Sequence, residues 1–153
     1  MALTGPPAAQ SDESRLRTLR VTFTYEGTQI RVVSRHELDM RPMPSDPVYD
    51  YQGQSGSWFE VRDETGRVLY RRILHDVMPA DMEAPSGDPE RPFTRVKADR
   101  RGTFVLTMPN LSRAESIVLF ASPDDDPRRS AREIGRFDLR VSAPKGSGPK
   151  ETR

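Results

Sequence analysis

The run Gly56-Ser57-Trp58-Phe59-Glu60-Val61-Arg62-Asp63-Glu64-Thr65-Gly66-Arg67-Val68-Leu69-Tyr70-Arg71-Arg72-Ile73-Leu74 restricts the fold more than any other stretch. Two segments rich in aromatic and β-branched residues flank Asp63-Glu64-Thr65-Gly66, a turn signal. Such residues pack well on a pleated surface. The run predicts a β-hairpin near the middle of the chain. In its first arm Phe59 and Val61 share one face and Trp58 and Glu60 the other, because side chains alternate along a strand. The second arm is less one-sided, as suits a strand inside a sheet.

The same alternation recurs on both sides of the hairpin. Leu19, Val21, Phe23 and Tyr25 interleave with Arg20, Thr22, Thr24 and Glu26, and Glu26-Gly27-Thr28 turns the chain. From about Thr28 to Met40, Ile30, Val32, Leu38 and Met40 share an apolar face. A strict period of two puts Ser34 and His36 on that face and Arg31, Val33, Arg35, Glu37 and Asp39 opposite. Pro42, Pro44 and Pro47 stop the strand, since proline cannot donate to a ladder. A loop rich in Tyr, Gln, Gly and Ser follows to Ser55. Residues 75–91, with Pro79, Pro85 and Pro89, read as a second irregular loop.

Pro92 to Ala98 reads as a short charged edge strand, turned by Asp99-Arg100-Arg101-Gly102. Thr103 to Met108 is a strand with Phe104, Leu106 and Met108 inward, and Pro109 to Arg113 a loop. Ser116 to Ala121 is the most continuous apolar run and predicts a central strand buried on both faces. A solvated loop holds Asp124-Asp125-Asp126, with a helical turn around Arg129 to Ile134. Phe137, Leu139 and Val141 alternate in a last strand.

About eight short strands without a long helical period predict an all-β chain. The expected architecture is an antiparallel two-sheet β-sandwich, immunoglobulin-like in the broad sense, with a small barrel as the alternative. The sandwich is expected over 17–142, between a disordered arm, 1–16, and a disordered tail, 143–153, both rich in Pro, Ser and small residues. Trp58 to Ile73 resembles hairpins in many bacterial immunoglobulin-like accessory domains. Unrelated sandwiches share that likeness, and it transfers no site.

Composition removes several function classes. The chain of 153 residues contains no cysteine, which excludes disulfides, thiolate metal sites and cysteine nucleophiles. Lys plus Arg is 24 against 23 for Asp plus Glu, so net charge gives no reason to expect a nucleic-acid partner. No apolar run has the length of a membrane span, and residues 1–10 lack the basic and apolar regions of a signal peptide. A cytoplasmic location and no membrane partner are expected. Arginine far exceeds lysine, a bias associated with GC-rich bacterial genes.

If the strands strictly alternate in direction, the long connections 41–55, 75–91 and 109–114 gather at one end. Long loops gathered at one end of a sandwich form its usual recognition surface. Within them Tyr49, Asp50, Tyr51, His75 and Asp76 are the candidate partner-binding residues. Loop tyrosines give large contact area at small entropic cost, though they also fold back as caps.

Other chemistry is weak. His36-Glu37-Leu38-Asp39 holds ligand types, but Glu37 points away from His36 in a strand. Gly53-Gln54-Ser55-Gly56-Ser57 lacks the last glycine of a nucleophile elbow. Asp124-Asp125-Asp126 lacks the spacing of a calcium loop. Arg62, Arg71 and Arg72 lie among Glu60, Asp63 and Glu64, which fits cross-strand ion pairs better than a nucleic-acid face. Asn110-Leu111-Ser112 matches a glycosylation sequon by chance.

The reading these observations favour is a non-enzymatic binding or accessory module with a protein partner, no cofactor and no metal. Its oligomeric state stays open. The alternative is a metal-dependent or hydrolytic enzyme in which Asp76 orients His75 as a base or ligand.

Overall fold

The computed structural model describes residues 16–75, 78–79, 81–97 and 99–140. Those residues form β1 (Thr18–Glu26), β2 (Gln29–Leu38), β3 (Ser57–Arg62), β4 (Val68–Leu74), β5 (Asp81–Asp88), β6 (Arg91–Lys97), β7 (Arg101–Pro109), β8 (Ser116–Ala121) and β9 (Arg132–Asp138). All pairings are antiparallel. One sheet has the order β2-β1-β7, a second the order β4-β3-β8-β9, and β5 and β6 pair as a separate ribbon. No helix among the described residues is long and apolar enough to cross a membrane.

The two larger sheets bury their apolar faces against each other, the sandwich-like arrangement that alternation predicts. Val21, Phe23, Phe104, Leu106 and Met108 come from one sheet, and Phe59, Val61, Tyr70, Ile117 and Leu119 from the other. Phe23 of β1 stacks on Phe104 of β7 with ring centroids 4.9 Å apart and meets Phe137 of β9 edge-on at 5.0 Å. β8 is the central strand expected from its composition, with Ile117, Val118 and Leu119 all buried between β3 and β9.

The hairpin turn between β3 and β4 is built by one carboxylate. Asp63 Oδ1 accepts hydrogen bonds from the Thr65 hydroxyl at 2.7 Å, the Thr65 amide at 2.9 Å and the Arg67 amide at 3.0 Å. Its Oδ2 accepts from Arg113 at 3.4 Å. Gly66 supplies the positive φ of 85° that a side chain would strain. The Thr65 hydroxyl, aided by the Arg67 and Thr65 amides and by Arg113, holds the Asp63 carboxyl below its ordinary 3.8. A folded-state pKa depressed in this way adds stability above the unfolded value, and that stability is lost as pH falls through the folded value. The urea midpoint of the wild type is therefore expected to drop as pH falls below about 4, and that of Asp63→Asn to drop less. Parallel midpoint–pH curves for the two proteins would overturn the assignment.

Four expectations are corrected. First, β2 does not keep a strict period. Opposite β1, Ser34 faces Thr22 but Val32 faces Phe23, so Val33 is an extra residue and the strand bulges there. Beyond the bulge the faces exchange. His36 lies opposite Arg20 and is exposed, while Arg35 lies opposite the fully buried Val21. Arg35 Nη2 donates to the Asp138 carbonyl at the end of β9.

Second, residues 75–91 are not a long irregular loop, because β5 occupies Asp81–Asp88 and pairs with β6. Pro85 is tolerated there since a two-stranded ribbon leaves one side of each strand without a partner. The register breaks between Pro85 and Asp88, with Gly87 at a φ of 76°, and Pro89-Glu90 forms the turn.

Third, residues 129–134 form no helical turn. β9 starts at Arg132 and ends at Asp138, so Leu139 lies beyond the strand and Val141 outside the described residues.

Fourth, the three long connections do not gather at one end. β2 ends at Leu38, opposite Thr18, whose strand start lies beside Asn110 through the bond from the Asn110 amide to the Arg17 carbonyl. Residues 110–115 share that end with the Asp63 turn, through Arg113–Asp63 and the 2.8 Å bond from the Glu115 amide to the Arg62 carbonyl. β3, however, starts at Ser57, opposite Ala121, at the other end, where Gly27, Arg100 and Asp124 meet. His75, just after Leu74, lies at that second end because Leu74 also pairs with Ser57. β2 and β3 thus run in the same direction. Residues 39–56 form a crossover along the length of the fold, and the assumption of strict reversal fails at this connection.

Candidate functional site

The crossover makes a surface that no end loop makes. It runs beside β4, the outer strand of the four-stranded sheet. The Asp46 amide donates to the Arg71 carbonyl at 2.8 Å, the Arg71 amide to Ser45 Oγ at 3.0 Å, and the Ile73 amide to Asp46 Oδ2 at 2.7 Å. The Tyr70 hydroxyl donates to the Met43 carbonyl at 3.1 Å. The Arg71 amide and carbonyl and the Ile73 amide on the outer edge of β4 are thereby occupied, and the chain then bends over the outer face of the sheet.

Alternation along β3 decides what lies there. Phe59 and Val61 enter the core, so Trp58, Glu60 and Arg62 point outward. Register sets Arg71 of β4 and Val118 of β8 on either side of Glu60, and Ile73 and Phe120 on either side of Trp58. Despite facing outward, Trp58, Glu60, Arg71 and Val118 are each at most 4% exposed. The crossover and the long side chains above them form a second, smaller layer of buried structure.

Glu60 is the hub of this layer. Its Oε1 accepts from Trp58 Nε1 at 3.2 Å and from Arg71 Nε and Nη2 at 3.1 and 2.7 Å. Its Oε2 accepts from Arg62 Nε at 2.8 Å. Arg71 Nη1 donates to the carbonyls of Pro47 and Tyr49 at 3.0 and 2.6 Å, so one guanidinium ties Glu60 to the crossover. Burial of a charge is tolerated where it is paired and hydrogen-bonded, as both partners are here. The Arg71 guanidinium also lies over the Tyr51 ring, 3.7 Å from its centroid.

Four rings continue from this pair across the surface. Tyr49 to Tyr51, Tyr51 to Trp58 and Trp58 to Phe120 are separated by 5.0, 5.1 and 5.2 Å between centroids. Partial burial, with Tyr49 adjacent, pushes the Tyr51 phenol above its ordinary 10.0, against the opposing pull of Arg71. Tyr49 stands at the outer end and is 62% exposed, beside Val48 at 50%. A groove of about 480 Å³ opens here, lined among others by Tyr49, Trp58, Arg71, Phe120 and Arg132. At its rim Glu133 takes both Arg136 Nε and Nη2, at 3.0 and 3.1 Å, and those bonds hold its carboxyl below the ordinary range.

Comparison with models of protein families, with curated proteins and with solved structures finds no match to this chain.

The site geometry brings together some of the residues singled out from the sequence and separates others. Tyr49, Asp50 and Tyr51 lie in the groove wall, where Asp50 Oδ1 accepts from the Gln52 amide at 2.9 Å and shapes the bend. His75 is exposed at the end of β4, and Asp76 lies outside the described residues. Among the described residues no group of three or more His, Cys, Asp or Glu is placed to hold a metal. Ser55, the serine at the centre of Gly53-Gln54-Ser55-Gly56-Ser57, is exposed in the loop that leads into β3, not on the strand-to-helix turn of a nucleophile elbow. The aspartate run is divided among partners: Asp124 pairs with Arg100, Asp125 with Arg129, and Asp126 Oδ1 accepts from the Arg128 amide at 3.1 Å.

The sequence pairs Trp58 with Glu60 on one face and sets Arg62 and Arg71 in cross-strand ion pairs with nearby acids, as the bonds to Glu60 bear out, but it points neither to Phe120 nor to the burial of the charge pair. The available signal was the order Trp-Phe-Glu-Val-Arg. There the face opposite the apolar one carries an indole, an acid and a base, all able to bond to each other.

Proposed function

We propose that this chain is a non-enzymatic β-sandwich module that binds a protein partner through the crossover face, with Tyr49 as its main contact. The observation that carries the reading is the clamping of that segment. A loop without a role has no need of a buried guanidinium holding two of its carbonyls, yet Arg71 holds Pro47 and Tyr49 in this way. The clamp presents a largely exposed aromatic ring on a fixed backbone, which lowers the entropic cost of binding. Tyrosines in such positions recur among residues that dominate interface energies, and the adjacent, exposed Val48 extends the apolar contact.

The test is recovery of a partner from an extract of the source cells on immobilised protein, followed by titration of the recovered protein. Tyr49→Ala is expected to weaken that binding by about 30-fold, the size of a 2 kcal/mol contact, with the unfolding midpoint unchanged. Tyr49→Ala plus Tyr51→Ala is expected to abolish recovery. A partner bound equally by the wild type and the double variant would remove the crossover from the interface.

A further inference from the structure

Every sheet edge exposes unpaired amide and carbonyl groups, and proteins protect such edges from pairing with other chains. The sandwich has four edges, formed by β2, β7, β4 and β9. β4 is occupied by Ser45 and Asp46. β2 carries the Val33 bulge together with Arg31, Arg35, His36 and Glu37. β9 carries a register shift opposite Leu119 and Phe120 and the charges of Arg132, Glu133, Arg136 and Asp138. The ribbon is protected by Glu83 and Asp88 on one strand and Arg91, Arg95 and Lys97 on the other.

β7 has none of these devices along its length. It is nine residues long, pairs with β1 without any register shift, and has no charged residue after Arg101. Among the described residues no other strand pairs with its outer side. Thr103, Val105 and Thr107 are exposed on one face, and Phe104, Leu106 and Met108 are buried on the other.

We propose that β7 is a self-pairing edge and that its occupant is β7 of a second copy of this chain. The strand suits its own antiparallel image. A two-fold axis at Val105 sets Val105 against Val105 of the second copy and Thr103 against its Thr107, pairs that favour a sheet. Phe104 meets Leu106 of the second copy, continuing the apolar face. Arg101, the only charge in the strand, meets Pro109 of the second copy, so like charges do not oppose. The contact is isologous and closes at two copies, joining two three-stranded sheets into one of six. It leaves the crossover face free and does not depend on the function proposed for it.

Sedimentation velocity across the micromolar range tests this. The wild type is expected to populate a dimer as concentration rises. Val105→Lys places two lysines at the axis and is expected to raise the dissociation constant at least about tenfold. Val105→Glu does the same, and an equal mixture of the two variants is expected to recover the dimer through the opposite charges. Val33→Lys, on the bulged edge, is expected to keep it. A wild type that stays monomeric at every concentration overturns the proposal and leaves an extended segment of a different protein as the occupant. A dimer unaffected by Val105→Lys, a mixture that stays monomeric, or a Val33→Lys variant as defective as Val105→Lys also overturns it.

Discussion

Glu60→Ala is expected to lower the unfolding free energy by about 3–5 kcal/mol, the penalty for removing one partner of a buried ion pair. The loss is this large because the survivors have nowhere to go. Arg71 is 3% exposed and would keep its charge without its carboxylate, and Trp58 Nε1 would lose its acceptor. Replacing both charges is expected to cost much less. Glu60→Leu plus Arg71→Met removes the attraction and the desolvation penalty together, so the double variant should lie far closer to wild type than the two single losses added. Urea unfolding of the two single variants and the double variant measures the difference. The same double variant separates stability from function. With the Arg71 clamp gone, amide exchange in residues 45–50 is expected to accelerate and binding through Tyr49 to weaken even where the fold persists. A Glu60→Ala variant that loses less than about 1 kcal/mol would mean that water replaces the carboxylate, and the crossover would then be no more than a cover.

The contrast between these charges and the sequence shows what alternation can and cannot reveal. The hairpin was legible because Phe59 and Val61 alternate with Trp58, Glu60 and Arg62 and because Asp63 and Gly66 are both turn residues for separate physical reasons. The order of the strands other than β5 was legible too, and so was much of the buried core: Val21, Phe23, Phe104 and Leu106 from alternation, Ile117 and Leu119 from a continuous apolar run. What failed were properties of pairs of strands. A bulge adds one residue without leaving a mark in composition, so Val33 exchanged the faces of Arg35 and His36 unseen. The direction of β3 depends on where residues 39–56 go, and prolines 42, 44 and 47 state only that no ladder forms there. Pro85 and Pro89 misled in the opposite sense, since a proline excludes a central strand but not one side of a two-stranded ribbon. The tyrosines of the site were legible as loop aromatics. Their support was not, because Arg71 becomes buried only when the crossover covers it, and exposure is decided by that distant segment.

Phe23→Ala is expected to produce a loss of similar size, about 3–5 kcal/mol, by a different mechanism. Phe23 is fully buried and belongs to β1, but its ring contacts Phe104 of β7 and Phe137 of β9, so it joins neighbours within its sheet to the sheet opposite. Truncation removes the transferred apolar area and leaves a void that the rigid strands on three sides cannot fill. Phe93 provides the comparison. It has the same side chain but lies 62% exposed on the ribbon, and Phe93→Ala is expected to stay within about 0.5 kcal/mol of wild type. Guanidinium unfolding of both variants gives the ratio directly. The two mechanisms also differ in what can reverse them. An apolar molecule that enters the Phe23→Ala void should raise that variant's unfolding midpoint, whereas no apolar additive should restore Glu60→Ala, whose defect is an unpaired charge. Equal losses at positions 23 and 93 would mean that the two large sheets do not form the stabilising core, and every placement that follows from their packing, including the outward face of β3, would fall with it.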